Sequence, residues 1–214
     1  MIKTAMTYVT FTLLHQSHAP FSSAMIKRST LVLFIVIVSA MVACKSVYPN
    51  QQPIDQRFPS MKGTGLDGTV HSFPDTLLGS PTVLLIGYTQ RAQFDIDRWL
   101  LGIAQLERES SRSKGRKSMR LMELPTIEGL MPGLFANQID NGMRKGIPQE
   151  DWPAVVTVYD DASIISQFFG TEKPDNARIV LLDDEARIKW VSDRGYSSKL
   201  VQKLYQSFHE LRSK

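Results

Sequence analysis

Three polar residues, Gln90, Arg91 and Gln93, stand between an apolar run and a segment with helical spacing, and they are the residues best placed for chemistry. Free backbone N–H groups at the start of a helix bind anions. We expect Arg178, at the start of a later strand, to lie close to them. The pattern predicts a site for an anion or for a carbonyl group of a bound protein. The alternative is that Arg91 pairs with Asp95 on the surface.

Other residue types that commonly carry catalysis are few or scattered. The only cysteine among the 214 residues is Cys44, so the chain has no internal disulfide and no Cys-x-x-Cys pair. Thiol redox chemistry needs a thiolate, which lipidation of Cys44 would remove. No serine or glycine pattern matches a nucleophile elbow or a phosphate loop. The histidines match no ligand spacing; they are His15, His18, His71 and His209. We therefore predict no catalytic residue, no metal and no cofactor.

Residues 25–43 have the organisation of a secretory signal. Lys27 and Arg28 precede a continuous apolar run at 31–38, and small residues lead to Cys44. An apolar core of about a dozen residues is too short to cross a bilayer, for which roughly 20 are needed. The sequence Met41-Val-Ala-Cys44 resembles the bacterial lipobox, although that motif usually has Leu, Val or Ile at the place of Met41. The resemblance implies a lipid on Cys44; the alternative is an uncleaved anchor in which Cys44 has no role.

The expected organisation has four parts. Residues 1–24 are a non-native or disordered extension, 25–43 the signal peptide, 44–61 a tether and 62–214 a folded domain. By the sorting rule of bacterial lipoproteins, Lys45 favours the periplasmic face of the outer membrane. The formal net charge of +4 comes from the leader, because removing its three cations from 25 basic residues leaves 22 against 21 acidic ones. We therefore expect a membrane contact through the lipid on Cys44 and an envelope or membrane protein as partner, but no nucleic acid.

The domain reads as an α/β fold. Residues 82–86, 119–124 and 155–159 are apolar runs typical of interior strands, and 177–182 with 187–191 predict an antiparallel hairpin around an acidic turn. Helical spacing follows the first strand and recurs near the C-terminus, at Ile96, Trp99, Leu100, Ile103 and at Leu200, Val201, Leu204, Tyr205, Phe208, Leu211. This order predicts a mixed sheet, with parallel core strands and a closing hairpin, flanked by helices.

The block 176–190, Asn-Ala-Arg-Ile-Val-Leu-Leu-Asp-Asp-Glu-Ala-Arg-Ile-Lys-Trp, resembles the end of thioredoxin-like domains. It is most similar to a cysteine-less branch, the mitochondrial assembly factors of the F-type ATP synthase and their bacterial relatives. The resemblance covers about residues 62–212. In thioredoxins and peroxiredoxins the turn that corresponds to 88–93 carries the reactive cysteine, which is missing here. The resemblance implies a thioredoxin-like fold and a non-redox helper role at a membrane.

Two functions remain open from the sequence. The first is a lipid-anchored, non-redox module that binds or helps to assemble an envelope protein. The second is a periplasmic binder or enzyme for a small anion, which would use the Arg91 turn. A deep pocket of converging polar groups would favour the second function, and an exposed apolar patch would favour the first.

Overall fold

A computed structural model describes residues 47–111, 120–129 and 132–212. The predicted extension, the signal segment and Cys44 lie outside these residues, as does the start of the predicted tether. The described residues belong to one unit that runs from Ser46 to Lys214. Across them, no helix combines the length and the apolar character that crossing a bilayer requires.

The central sheet has four strands in the order β4-β3-β6-β7. β3 (Thr82–Gly87) pairs in parallel with β4 (Arg120–Pro125) and antiparallel with β6 (Arg178–Leu182). β7 (Ile188–Ser192) then pairs antiparallel with β6. Every residue of β3 is buried, as expected for a strand with a neighbour on each side and layers on both faces. The predicted mixed sheet and its closing hairpin are confirmed.

A second, three-stranded sheet has the order β2-β1-β5. β1 (Met61–Gly65) pairs antiparallel with β2 (Val70–Phe73) and with β5 (Val156–Thr157). β5 is shorter than the predicted strand at 155–159, because a 3-10 turn ends just before it and a helix follows closely. Two isolated parallel bridges connect it to the edge of the central sheet, Glu123 with Val155 and Thr126 with Val158. β4, which was predicted at 119–124, therefore has a neighbour on each side.

Alternating side chains of β3 serve two apolar layers. Val83 and Leu85 face α1 (Gln90–Ser111) and α4 (Ser198–Arg212) in a cluster that includes the predicted Ile96, Trp99, Ile103, Val201, Leu204 and Phe208. Leu84 and Ile86 face the opposite layer, where α3 (Ala162–Phe169) contributes Ile165 and Phe169. The remaining α-helix of the described residues is α2 (Pro132–Gly146). Both predicted amphipathic helices, α1 and α4, are confirmed with their buried faces.

The predicted turn at 88–93 is shorter in the structure, since α1 begins at Gln90. The cause is Thr89, whose carbonyl and hydroxyl oxygens both accept from the N–H of Ala92, at 3.1 and 3.3 Å. Threonine is one of the residues preferred at this capping position, because its side-chain oxygen accepts a hydrogen bond from a free N–H of the first helical turn. Gln90, Arg91 and Gln93 therefore belong to the first helical turn and not to a loop before it.

Candidate functional site

The N-terminus of α1 is closed by the chain's own carboxylate. The Thr89 hydroxyl, besides capping the helix, donates to Asp175 Oδ1 at 2.9 Å. Arg91 Nη1 lies 3.5 Å from Asp175 Oδ2, with both side chains largely exposed. A carboxylate at this end is favoured by the helix dipole, as a bound anion would be. Asp175 therefore already contacts Thr89 and Arg91, two side chains that an anion at this helix end would meet.

Asp95 does not pair with Arg91, which corrects the alternative raised from the sequence. The Asp95 carboxylate is buried and accepts two backbone hydrogen bonds, from the N–H of Ala177 at 2.9 Å and from the N–H of Tyr196 at 2.7 Å. It faces inward because Ala92, three residues before it, and Trp99, four residues after it, are buried on the same side of α1. Asp95 thus fastens α1 to two distant segments, and the carboxylate partner of Arg91 is Asp175.

Gln93 turns toward the neighbouring strand. Its side-chain amide donates to Asp97 Oδ1 at 3.0 Å and to Glu123 Oε2 at 3.4 Å. Glu123 lies on β4, where burial raises the pKa of its carboxyl group while the bond from Gln93 lowers it. Sequence reasoning overlooked Glu123, although a single carboxylate within an apolar strand was the available signal.

Arg178 is fully buried and reaches the turn through Tyr88. Its guanidinium lies 5.4 Å from the centre of the Tyr88 ring. The guanidinium also donates four hydrogen bonds. Three go to the backbone carbonyl oxygens of Lys173 at 3.0 Å, Asn176 at 3.3 Å and Gly170 at 3.2 Å, and the fourth goes to Asn50 Oδ1 at 2.7 Å. Burial lowers the pKa of Arg178 and raises the pKa of Tyr88. A buried charge needs hydrogen-bond partners, and the Nη groups find theirs in the segment before β6 and in a residue of the tether, whereas Nε has no partner among the described residues.

The four candidate binding residues therefore point to different neighbours. Arg178 is brought to the turn and Arg91 to Asp175, whereas Gln93 extends toward β4 and Gln90 is exposed. Their role in binding remains a prediction. Within the described residues, no group of three or more His, Cys, Asp and Glu side chains is placed to hold a metal ion.

An exposed apolar pair marks the outer face of α1. Phe94 is 67% exposed and Leu101 is 70% exposed. Residues seven apart lie on the same side of a helix, so these side chains share one face, with Arg98 exposed on the turn between them. This exposed face was not predicted from the sequence. The available signal was the presence of two large apolar residues outside the buried stripe of the helix.

Comparison with known proteins identifies the fold. No family model matches the chain, and no curated protein matches it. Among solved structures, yeast Sco1 with copper bound superposes with a TM-score of 0.51 at 13% identity, over 73% of this chain and 92% of that one. A SCO1/SenC family lipoprotein from Bacillus anthracis gives 0.48 at 10% identity, over 74% and 98%. The exposed lipoprotein thioredoxin of Streptococcus pneumoniae gives 0.45 at 12% identity, over 69% and 99%. The chain has a thioredoxin-like fold.

Replacing Asp95 should destabilise the protein far more than replacing Arg91. Asp95→Ala leaves one buried and one partly buried N–H group without an acceptor, at a cost of about 2–4 kcal/mol. Arg91→Ala changes an exposed residue and should remain within about 0.5 kcal/mol. Chemical denaturation of the two variants beside the unaltered protein measures both effects. Equal stability losses would show that Asp95 does not fasten α1.

Glu123→Gln should stabilise the protein at neutral pH. The pKa of Glu123 is raised in the folded state because burial penalises its charged form. The contribution of this carboxyl group to stability is therefore complete below the ordinary glutamate pKa, where it is protonated, and is lost as the pH rises through the pKa of the folded protein. The gain of the variant over the unaltered protein should therefore be present at pH 7, shrink as the pH falls through the raised pKa of the folded protein, and be absent below about 4.3, the ordinary glutamate pKa. Denaturant titrations across this range test it.

Glu150→Gln is the matched control for that experiment, since Glu150 is exposed. It should change stability little at any pH. A gain for Glu123→Gln that does not vary with pH would contradict the assignment to ionisation.

Proposed function

We propose that the chain is a lipid-anchored, non-redox thioredoxin-like envelope lipoprotein that acts as a binding or assembly-helper module. The observation that carries the proposal is the state of the α1 N-terminus. Thr89 caps it, Asp175 closes it, and Gln90, Arg91 and Gln93 stand in the first turn without a thiol. With Cys44 as its only cysteine, the chain has no dithiol to cycle.

The outer face of α1 is the binding surface of this proposal. Phe94 and Leu101 expose their side chains with Arg98 between them, and Arg108 is exposed nearer the end of the helix. Within the described residues, neither arginine forms an ion pair. Exposed apolar groups beside unpaired cations suit a protein surface that combines apolar side chains with carboxylates. We take such a protein of the envelope as the partner.

The helper role and the anchor come from the sequence. The block 176–190, which contains β6 and the first part of β7, resembles the ATP synthase assembly factors, and this resemblance supports assistance to a membrane protein. The lipobox-like Met41-Val-Ala-Cys44 supports lipidation, and Lys45 supports the periplasmic face of the outer membrane.

A small-anion binder or enzyme at the Arg91 turn receives less support. The N-terminal end of α1 already faces the carboxylate of Asp175. The Nη groups of Arg178 donate to oxygens of the chain itself. An anion would have to displace Asp175 from both Thr89 and Arg91 before it could bind.

A photo-crosslinking residue placed at Phe94 or at Leu101 of the full chain should trap one discrete partner in cells. In the protein that carries the crosslinking residue at Leu101, the added change Phe94→Ser should abolish the crosslink to the partner, because it removes the adjoining apolar contact. The crosslinked species are separated by gel electrophoresis and identified by mass spectrometry. Phe94→Ser should alter stability by no more than about 0.5 kcal/mol, since the side chain is exposed.

Val70 is the matched control position, because at 67% exposure it equals Phe94 but lies on β2. Crosslinks of equal yield and identity from Val70 would mean that the α1 face is not the binding surface. Reductase activity of the purified protein towards a disulfide or a peroxide would contradict the non-redox part of the proposal.

Cys44→Ser should block lipidation and leave an unprocessed precursor that labelled palmitate does not mark. Deleting residues 1–24 should leave both lipidation and cleavage unchanged, because the signal lies downstream of them. Metabolic labelling and the mobility of the protein on a gel measure both events. A Cys44→Ser protein that is labelled and processed like the unaltered chain would rule out the lipid anchor.

A further inference from the structure

Two adjoining cavities lie beside the first half of α4. Their volumes are about 360 and 330 Å³, and Arg194, Leu200 and Lys203 line both. Tyr196 and Lys199 complete the first cavity, while the second reaches Trp190 and Ser192 of β7 and Gln52 and Ile54 of the segment before β1. We call the surface formed by these residues the α4 groove.

The groove carries three exposed cations. Arg194, Lys199 and Lys203 are exposed, and in the described part of the chain none of them forms an ion pair. By contrast, Lys189 at the groove's edge pairs with Asp55 at 2.8 Å and with Asp183 at 3.4 Å. The first turn of α4 contains no acidic residue, so the positive end of its dipole adds to the same field. The three unpaired cations favour an anionic ligand.

Ser192 supplies an independent indication of a ligand. It lines the second cavity with only 4% of its surface exposed, and its buried Oγ has no hydrogen-bond partner among the described residues. A buried hydroxyl without a partner costs free energy, and buried polar groups are almost always paired. An acceptor entering the groove would satisfy this hydroxyl.

The walls of the groove are amphipathic. Ile54 is 44% exposed and Tyr196 39% exposed, while Trp190 and Leu200 are half-buried. Tyrosine and tryptophan side chains combine an apolar body with a polar tip, which suits the boundary between lipid and water. Gln52 follows Cys44 by eight residues, a stretch of chain that spans at most about 29 Å. If Cys44 carries the lipid of the proposed function, the groove lies within reach of headgroups.

We propose that the α4 groove binds the phosphate group of an anionic ligand, presented by an acidic phospholipid headgroup or by free phosphate. Lys199, Lys203 and Arg194 provide the charge, Ser192 a hydroxyl donor, and Trp190 and Leu200 a surface for the apolar part of the ligand. This binding goes beyond the proposed function, because it uses a surface other than the outer face of α1.

The test uses the full chain in neutral detergent and isothermal titration calorimetry. The probes are dihexanoyl phosphatidylglycerol, inorganic phosphate and dihexanoyl phosphatidylcholine. Phosphatidylglycerol should bind, and the double change Lys199→Gln with Lys203→Gln should weaken its binding about tenfold or more. Much tighter binding of phosphatidylglycerol than of phosphate identifies a lipid headgroup as the source. Equal binding of the two identifies free phosphate.

The control is the double change Lys62→Gln with Lys145→Gln, which removes the same charge from two exposed lysines outside the groove. It should bind like the unaltered chain. Ser192→Ala should weaken binding without lowering stability, since it removes an unpaired hydroxyl. Absence of binding to both anionic probes overturns the proposal, as does equal binding of phosphatidylcholine or an equal loss in the control. Lipid labelling of Cys44 is measured separately, so the anchor and the groove can fail independently.

Discussion

The carboxylate of Asp95 is the contact on which the polar end of this domain depends. It accepts the N–H of Ala177 at the entry to β6 and the N–H of Tyr196 in the connection from β7 to α4. A buried carboxylate is stable only when such donors surround it. The two bonds fix the start of α1 against both segments. The Thr89 cap and Asp175, two residues before Ala177, meet because these elements are held together.

Polar groups at the ends of the central strands form hydrogen bonds within the chain itself. Arg178 holds the oxygens of Gly170, Lys173 and Asn176 and the side chain of Asn50, while Tyr88 covers its guanidinium. Because these donors serve the chain itself, they stabilise the region in which the sequence predicted a binding site. The exposed cations that form no ion pair with a described residue include those on the outer face of α1 and in the α4 groove. The two proposed binding surfaces therefore involve α1 and α4.

The fold was predictable because its signals are local. The apolar run of β3 and the helical spacing of Ile96, Trp99 and Ile103 each lie within a few residues, so their period alone indicates the element. The site was less predictable because its contacts join distant residues. Ala177 lies 82 residues beyond Asp95, so the local helical spacing that turns Asp95 inward does not identify its hydrogen-bond donors. Arg178 has the residue type of an exposed site, and its burial follows only from the arrangement of the segments around it.

Gly102 lies between the two surfaces proposed for binding. It adjoins Leu101 on α1, and a Cβ atom at this position would come within 2.9 Å of the Tyr196 ring. Glycine therefore lets Tyr196 pack on α1, where it also meets Trp99 edge-on at 6.1 Å between ring centres. Since Tyr196 is a wall of the α4 groove, the inner side of α1 supports the groove while its outer side exposes Phe94 and Leu101. A change on the inner side, at Asp95 or Gly102, thus disturbs both surfaces. A change at Phe94 reaches only the outer one, so substitutions can test the two proposed binding surfaces separately.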